Sequence, residues 1–291
     1  MRIVFMGTPD FAVPCLERLL RDGHEVLAVF SQPDKPQGRK MALTPPPVKQ
    51  TALAHGIPVW QPEKLRGNEE VMSLLRGLAP ELIVVVAYGR ILPQELLELP
   101  KYGCINVHAS LLPKYRGAAP IQWSILNGER ETGVTTMQMD AGIDTGGMLL
   151  QEKMPIPEDM TSGELFERLS GMGAETLSST ITLLEQGRLT PQTQDEAQAC
   201  YAPVLTKAHS PMDWSRTARE LHNQVRGLNP WPGAFTEYAS KRLKIHISQV
   251  AEEPEGFSMP CGDGKYLVLL EVQPEGKKRM PGADFLRGLQ H

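Results

Sequence analysis

Cysteine is scarce in this chain of 291 residues and never paired: Cys15, Cys104, Cys200 and Cys261 lie far apart and form no Cys-x-x-Cys. That argues against a disulfide framework and a thiolate zinc site, and fits a reducing cytoplasm. The seven histidines show no metal-ligand spacing either, so no metal is expected. No apolar run approaches the roughly 18 residues that a membrane-spanning helix needs, and no membrane role is expected. Met1 leads straight into a strand-like segment, from which neither a signal nor a transit peptide is expected. Internal repeats and low-complexity tracts are absent. The first strand ends in Gly7-Thr8-Pro9-Asp10, without the G-x-G-x-x-G of a dinucleotide site, which weakens any NAD reading.

Hydrophobic residues make up 41% of the chain and charged residues 22%, a composition that folds and buries a sizeable core. The length is comfortable for two domains. A net charge of −4 argues at first sight against a nucleic-acid partner. The distribution says otherwise. From Lys207 onward 12 Lys+Arg face 10 Asp+Glu, a local +2, while the first 206 residues carry 18 against 24. Within that acidic part Lys35, Arg39, Lys40 and Lys49 face only Asp34, a basic island of +3. Local positive charge is what contact with RNA at a few places requires.

Arg2–Gly7 reads as a buried strand, followed by a helical stripe at Ala12, Val13, Leu16, Leu19 and Leu20 that ends at Gly23. Val26–Phe30 is a second strand. Leu82–Ala87 is apolar without alternation, as in a parallel strand covered on both faces. The order predicts an α/β fold: a Rossmann-like, mostly parallel sheet with helices on both faces. Thr161-Ser162-Gly163-Glu164 has the form of a capping box and opens a helix to Gly187 with Leu165, Phe166, Leu169, Met172, Leu177, Leu183 and Leu184 in the core. Residues 190–206, rich in Gln, Thr and Pro, read as a linker. Beyond it Ser215 is a candidate cap for a helix bearing Ala218, Leu221, Val225 and Leu228, closed by Asn229-Pro230-Trp231-Pro232-Gly233. Strand-like runs at 235–238, 243–250 and 266–272 and a helical tail at 283–289 complete a small β-rich unit. It is short, and the junction near Glu253–Met259 reads abruptly in sequence.

The most informative stretch is Asn106-Val107-His108-Ala109-Ser110-Leu111-Leu112-Pro113-Lys114-Tyr115-Arg116-Gly117-Ala118-Ala119-Pro120. Alternation along a strand would put Asn106, His108 and Ser110 on one face, and the prolines and glycine then force a shaped loop. An amide, an imidazole and a hydroxyl converging where a buried strand opens into a loop have the character of a catalytic pocket. This stretch, with Met139-Asp140-Ala141-Gly142-Ile143-Asp144-Thr145-Gly146, resembles the 10-formyltetrahydrofolate-dependent formyltransferases. Ile3–Pro14 and Asn229–Ala234 narrow the resemblance to the branch of that family acting on methionyl-tRNA. One departure is Gly147, where the family commonly carries an acidic residue.

The resemblance implies a catalytic trio of Asn106, His108 and Asp144. An amide can hold an oxyanion, an imidazole can pass a proton near neutral pH, and a carboxylate can support it. No residue looks like a nucleophile with its own base, so direct transfer is expected. By resemblance Ser110, Leu111, Leu112 and Pro113 form the folate loop. The stretch Val86–Leu92, with Val86, Tyr88, Gly89, Ile91 and Leu92, forms the pterin wall, and Asp140 is a further folate contact. The resemblance also implies that the second unit is an OB-like β-barrel. Residues 1–189 would then be the folate-binding catalytic domain and 207–291 the barrel contacting tRNA. Lys35, Arg39, Lys40, Lys49 and Lys207 are the candidate contacts to initiator methionyl-tRNA, and the chain is expected to work as a monomer. The rival within enzymes is a formyltransferase for a small amine, an amino sugar or glycinamide ribonucleotide. It would need neither the basic island nor the C-terminal unit. A non-catalytic RNA-binding protein has no reason to gather Asn106, His108 and Asp144.

Overall fold

The computed structural model describes residues 1–37 and 42–289. In chain order the elements are β1 (Arg2–Gly7), α1 (Val13–Arg21), β2 (Glu25–Phe30), β3 (Lys35–Gln37), β4 (Ala42–Thr44), α2 (Pro47–Ala54), β5 (Val59–Trp60), α3 (Glu69–Leu78), β6 (Leu82–Val86), α4 (Gln94–Leu97), β7 (Cys104–His108) and β8 (Arg116–Gly117). Then follow α5 (Pro120–Leu126), β9 (Glu131–Gln138), β10 (Met148–Pro155), α6 (Ser162–Glu185), β11 (Tyr201–Ala202), α7 (Ala218–Gly227), β12 (Ala234–Tyr238), β13 (Lys241–Ala251), β14 (Ser258–Pro260), β15 (Tyr266–Pro274), β16 (Met280–Pro281) and α8 (Gly282–Arg287). Two compact units result. The first comprises Met1–Gly117, Gly133–Lys153 and Glu167–Tyr201, and the second Ala118–Thr132, Met154–Phe166 and Ala202–His291.

The first unit is built on a seven-stranded sheet in the order β10-β9-β7-β6-β1-β2-β5. Strands β5, β2, β1, β6 and β7 run parallel, and β9 is antiparallel to β7. Strand β6, LIVVV, is buried at every position, as its unbroken apolar run requires in a sheet covered on both faces. On one face Val4, Met6, Ala28, Phe30, Ile83, Val85 and Cys104 pack with Val71, Met72 and Leu75 of α3 and Leu96 and Leu97 of α4. On the other, α6 comes in through Gly173, where a methyl group would lie 3.1 Å from Val107 and 3.9 Å from Cys15 of α1. Burial pushes the thiols of Cys15 and Cys104 up to about 12. At the end of β1 a methyl group on Gly7 would stand 2.8 Å from Phe5 and 2.9 Å from Ala12. The glycine is there for close strand–helix packing, without a phosphate-binding fingerprint around it.

The chain order places β2 and β5 on one side of β1 and β6 and β7 on the other, so the order of strand addition reverses between β1 and β6. Such a reversal opens a crevice at the carboxyl ends of the strands. Here Thr8 Oγ1 donates to the Tyr88 carbonyl at 3.3 Å, and Gln32 Nε2 reaches the same oxygen at 3.1 Å.

The second unit carries an antiparallel barrel-like sheet, β12-β13-β15-β14 with β16 on β15. Its core joins Ala218, Leu221 and Val225 of α7 to Leu243, Ile245, Leu267, Leu269 and Val272. Tyr238, Phe257 and Phe285 close one end with ring centroids 5.1–5.9 Å apart. The predicted cap of α7 is displaced by two residues. Ser215 bonds to Asp213, whereas Thr217 forms a capping box with Glu220. Near Glu253–Met259 the chain is exposed as far as Gly256 and then buries Phe257, whose carbonyl accepts from the Leu269 N–H at 2.7 Å. Strands β14 and β16, only three and two residues long, escaped the sequence pattern because each ends in a proline at an edge.

His222 of α7 is buried, with Nδ1 3.1 Å from Ser248 Oγ and Nε2 3.3 Å from the Glu158 carbonyl. Burial lowers its pKa from the usual imidazole value. The unfolded chain therefore binds a proton more readily than the folded one, and stability is lost as pH falls through the ordinary histidine range near ~6.5. The denaturant midpoint, followed by tryptophan fluorescence, should fall between pH 7.5 and 5.5. His222→Gln should flatten that dependence; an equally steep fall in the variant would clear His222 of responsibility.

Candidate active site

Strand β7 ends at His108, so strand alternation carries only two of the three expected groups. Cys104, Asn106 and His108 share a face, with Asn106 opposite Met137 and His108 opposite Thr135 of β9. Asn106 is partly exposed and His108 only 6%. Ser110 lies past the strand and is fully buried, its hydroxyl donating to the Lys114 carbonyl at 2.6 Å. Its work is to shape the loop. The Ser110 carbonyl in turn accepts from Thr135 Oγ1 at 2.7 Å, and Thr135 Oγ1 receives the Leu112 N–H at 3.1 Å. Gln151 Nε2 fixes the Leu112 carbonyl at 2.8 Å, and the Leu112–Pro113 peptide bond is cis. Leu111 and Pro113 are half-buried beside it.

Asp144 arrives from the β9–β10 loop. Its Oδ2 accepts the Gly117 N–H at 2.8 Å and faces His108 Nδ1 at 3.6 Å, while Oδ1 stands 3.4 Å from Asn106 Nδ2. The last two distances are too long for strong hydrogen bonds. His108 Nε2 lies 2.9 Å from the Tyr115 carbonyl, which only accepts, so Nε2 carries a hydrogen. Nδ1 is then the nitrogen left to exchange a proton beside the carboxylate. Three groups that the chain separates by up to 38 residues thus meet around one partly open point, an arrangement competent to hold an oxyanion and relay a proton.

The backbone at Asp144 is left-handed, φ +54°, which a non-glycine residue adopts only when its surroundings insist. Gly146 lies against the chain so tightly that a methyl group there would sit 1.8 Å from the Gln138 carbonyl. Gln194 Nε2 donates to the carbonyls of both Asp144 and Gly146, at 2.8 Å each. Asp140 is exposed and caps its own loop, accepting the Gly142 N–H at 3.0 Å and Thr145 Oγ1 at 2.7 Å. That internal use accounts for its position without a ligand.

The expected pterin wall divides. Val86, Tyr88 and Leu92 are buried, the last two in the core shared with α3 and α4. Burial also pushes the Tyr88 hydroxyl up to about 12. What this stretch turns outward is Ala87, Gly89 and Ile91, the last 74% exposed.

Among the basic candidates, Lys35 is exposed on β3 and Lys207 is exposed in the second unit. Arg39 and Lys40 lie outside the described residues. Lys49 is engaged elsewhere: its Nζ contacts both oxygens of Asp34 at 2.9 Å and Gln61 Oε1 at 2.7 Å. Hydrogen bonds from Gln61 and Lys49 hold the Asp34 carboxyl below its usual value. This knot fastens the segment's ends, which removes Lys49 from the free cations. Among the described residues no group of three or more His, Cys, Asp or Glu is placed to hold a metal.

Residues 1–181 match the formyl transferase family and residues 204–290 its C-terminal domain. The chain belongs to the formyl transferase family. It is 53% identical over 300 residues to the methionyl-tRNA formyltransferase of Acidobacterium capsulatum, covering 99% of this chain and 96% of that protein. It is 52% identical over 300 residues to that of Bacillus subtilis, with 99% and 94% covered. Among solved structures it resembles the sugar 3N-formyl transferase WlaRD, determined with dTDP and 5-N-formyl-THF (TM-score 0.71, 22% identity, 96% and 99% of the two chains). It also resembles methionyl-tRNA formyltransferase from Clostridium thermocellum (TM-score 0.59, 18% identity, 94% and 98%). At these identities the solved structures speak for the fold alone.

Gly146→Ala should displace the turn that carries Asp144 while leaving the sheet intact. Formyl transfer should fall on the order of 10²-fold, the cost of misplacing a reacting group by about 1 Å. Single-turnover rates beside circular-dichroism melting would check this, and an unchanged rate would show that the turn tolerates the methyl group.

Proposed function

We propose that this formyl transferase moves the formyl group of 10-formyltetrahydrofolate to the α-amino group of methionine on initiator methionyl-tRNA, in the bacterial cytoplasm, for translation initiation. The observation that carries the reading is full-length identity above one half to proteins named methionyl-tRNA formyltransferase, in a chain that joins Asn106, His108 and Asp144. The partly exposed Asn106 amide, the exposed residues Ala87 and Gly89 and the apolar Ile91 together offer polar and apolar surface suited to a folate, which is consumed as a substrate. Tyr88 and Leu92 would serve from behind, as packing. The catalytic domain is taken as 1–189, the link as 190–206 and the tRNA-contacting barrel as 207–291, in a monomer that needs no metal.

In this mechanism Asn106 donates its N–H₂ to the oxygen that becomes negative when the amine adds to the formyl carbon. His108, through Nδ1, supplies the proton that the departing folate nitrogen needs. Asp144 stabilises the positive imidazolium ring and takes up, by relay, the proton lost by the attacking amine, so protons balance over the cycle. No side chain forms a covalent intermediate. Lys35, Arg39, Lys40 and Lys207 meet tRNA phosphates.

Asp144→Asn keeps shape and removes charge, so turnover should fall by at least the ~10²–10⁴ of lost acid–base help, with folate binding little changed. Near-normal turnover at an unaltered melting temperature would remove Asp144 from the mechanism. The substrate assignment is tested separately, by formyl transfer to charged initiator tRNA and by salt titration. Replacing Lys35, Arg39 and Lys40 with Ala should weaken tRNA binding and flatten log K against log[salt] by about 0.7–0.9 for each phosphate no longer neutralised. A formyltransferase for a small amine, the activity named for several fold relatives, predicts no salt-dependent tRNA binding even in the unsubstituted protein.

A further inference from the structure

Residues 191–200, expected to serve only as a connection, lie along the first unit as a strap over the Asp144 turn. Met148 and Gln192 exchange both backbone hydrogen bonds at 2.8 Å. Pro191 occupies the space left by Gly147, where a methyl group would come within 2.6 Å of it. Gln194 sits at the centre, 5% exposed. Both of its N–H groups are given to the Asp144 and Gly146 carbonyls, and its Oε1 accepts from Arg116 Nε at 3.0 Å. Arg116 has no exposure and is held by Glu196 through two further bonds, 2.9 and 2.7 Å. At the end of the strap Cys200 takes the Arg116 N–H on its carbonyl at 2.9 Å.

We infer that Gln194 is a positioning residue for formyl transfer: it clamps the Asp144 peptide in its left-handed conformation and so aims the carboxylate. The geometry is closed on itself. Asp144 is held from its backbone by Gln194 and from its side chain by the Gly117 N–H, and Gln194 and Gly117 are both fixed by Arg116, one by hydrogen bonding and the other by the peptide link. An amide is the side chain that can accept from a guanidinium while donating twice to carbonyls. A carboxylate in its place would satisfy Arg116 and repel both carbonyls. An αL aspartate without these donors is free to relax toward φ below zero, carrying its carboxylate away from His108.

The kinetic arm of the test rests on the formyl-transfer reading; the exchange arm does not. Gln194→Glu keeps the acceptor for Arg116 and removes both donors, so it should fold, whereas Gln194→Met removes all three bonds. For Gln194→Glu we expect kcat to fall on the order of 10²-fold with KM for 10-formyltetrahydrofolate and for methionyl-tRNA within about twofold. Combined with Asp144→Asn it should add almost no further loss, because both changes act through the same carboxylate. Hydrogen exchange at the Gly117 amide, which bonds that carboxylate, should quicken roughly tenfold as the turn loosens. Normal kcat in a folded Gln194→Glu protein, or losses that multiply with those of Asp144→Asn, would overturn the inference. Should both Gln194 variants melt far below the unsubstituted protein, the exchange measurement at low temperature decides, and unchanged protection at Gly117 overturns it. Failure of the unsubstituted enzyme to formylate methionyl-tRNA would instead sink the substrate assignment and leave the exchange result standing.

Discussion

A guanidinium withdrawn from water has to be answered by charge and by hydrogen-bond acceptors, or it destabilises the fold that buries it. Arg116 is in that position, and the candidate site is arranged around the answer. Glu196 supplies the charge from a surface position and is held below the usual carboxylate range by its hydrogen bonds to Arg116. Gln194 supplies the acceptor for Nε, while its own donors go to the turn that bears Asp144. One electrostatic demand in the loop after β7 thus determines where a distant segment lies, and that segment determines the backbone of the β9–β10 turn.

The rest of the site follows from how the sheet ends. Parallel strands covered on both faces stop together at their carboxyl ends, and β6 and β7 stop beside the point where strand order reverses. Asn106 is therefore held by strand pairing on both sides, and His108 by its pairing with β9 and its bond to the Tyr115 carbonyl. Asp144 comes from a loop and is rigid only through acquired contacts. Rigidity inherited from a strand and rigidity assembled from side chains meet at one carboxylate.

Much of this was legible beforehand because it is written locally. The unbroken apolar run of β6, the capping box at Thr161–Glu164 and the stripe of α1 each need only neighbours in sequence to be read. The trio at Asn106, His108 and Asp144 was legible through its resemblance to a family. What escaped depends on partners far away in the chain. Gln194 lies in a polar stretch with no periodicity, and its meaning appears only when residues 50 positions away are brought to it. Lys49 looked like a free cation until Gln61 and Asp34 closed on it. Ser110 seemed to extend a strand pattern that had already stopped, and Ser215 stood two residues from the cap that Thr217 forms with Glu220. Tyr88 and Leu92 sit in a stretch that looked like ligand surface, but helices packed beneath it claimed their side chains.

The depth at which α1 and β7 are packed also governs the chemistry of the two thiols they carry. The thiolate, not the thiol, is the species that oxidants and electrophiles attack. Burial pushes the thiols of Cys15 and Cys104 well above the usual range, so neither presents appreciable thiolate at neutral pH. Cys104 lies two residues before Asn106 on the same strand face, yet it is chemically silent there. Oxidative chemistry that scars exposed sulfur therefore has no direct route to the strand that carries the amide and the imidazole.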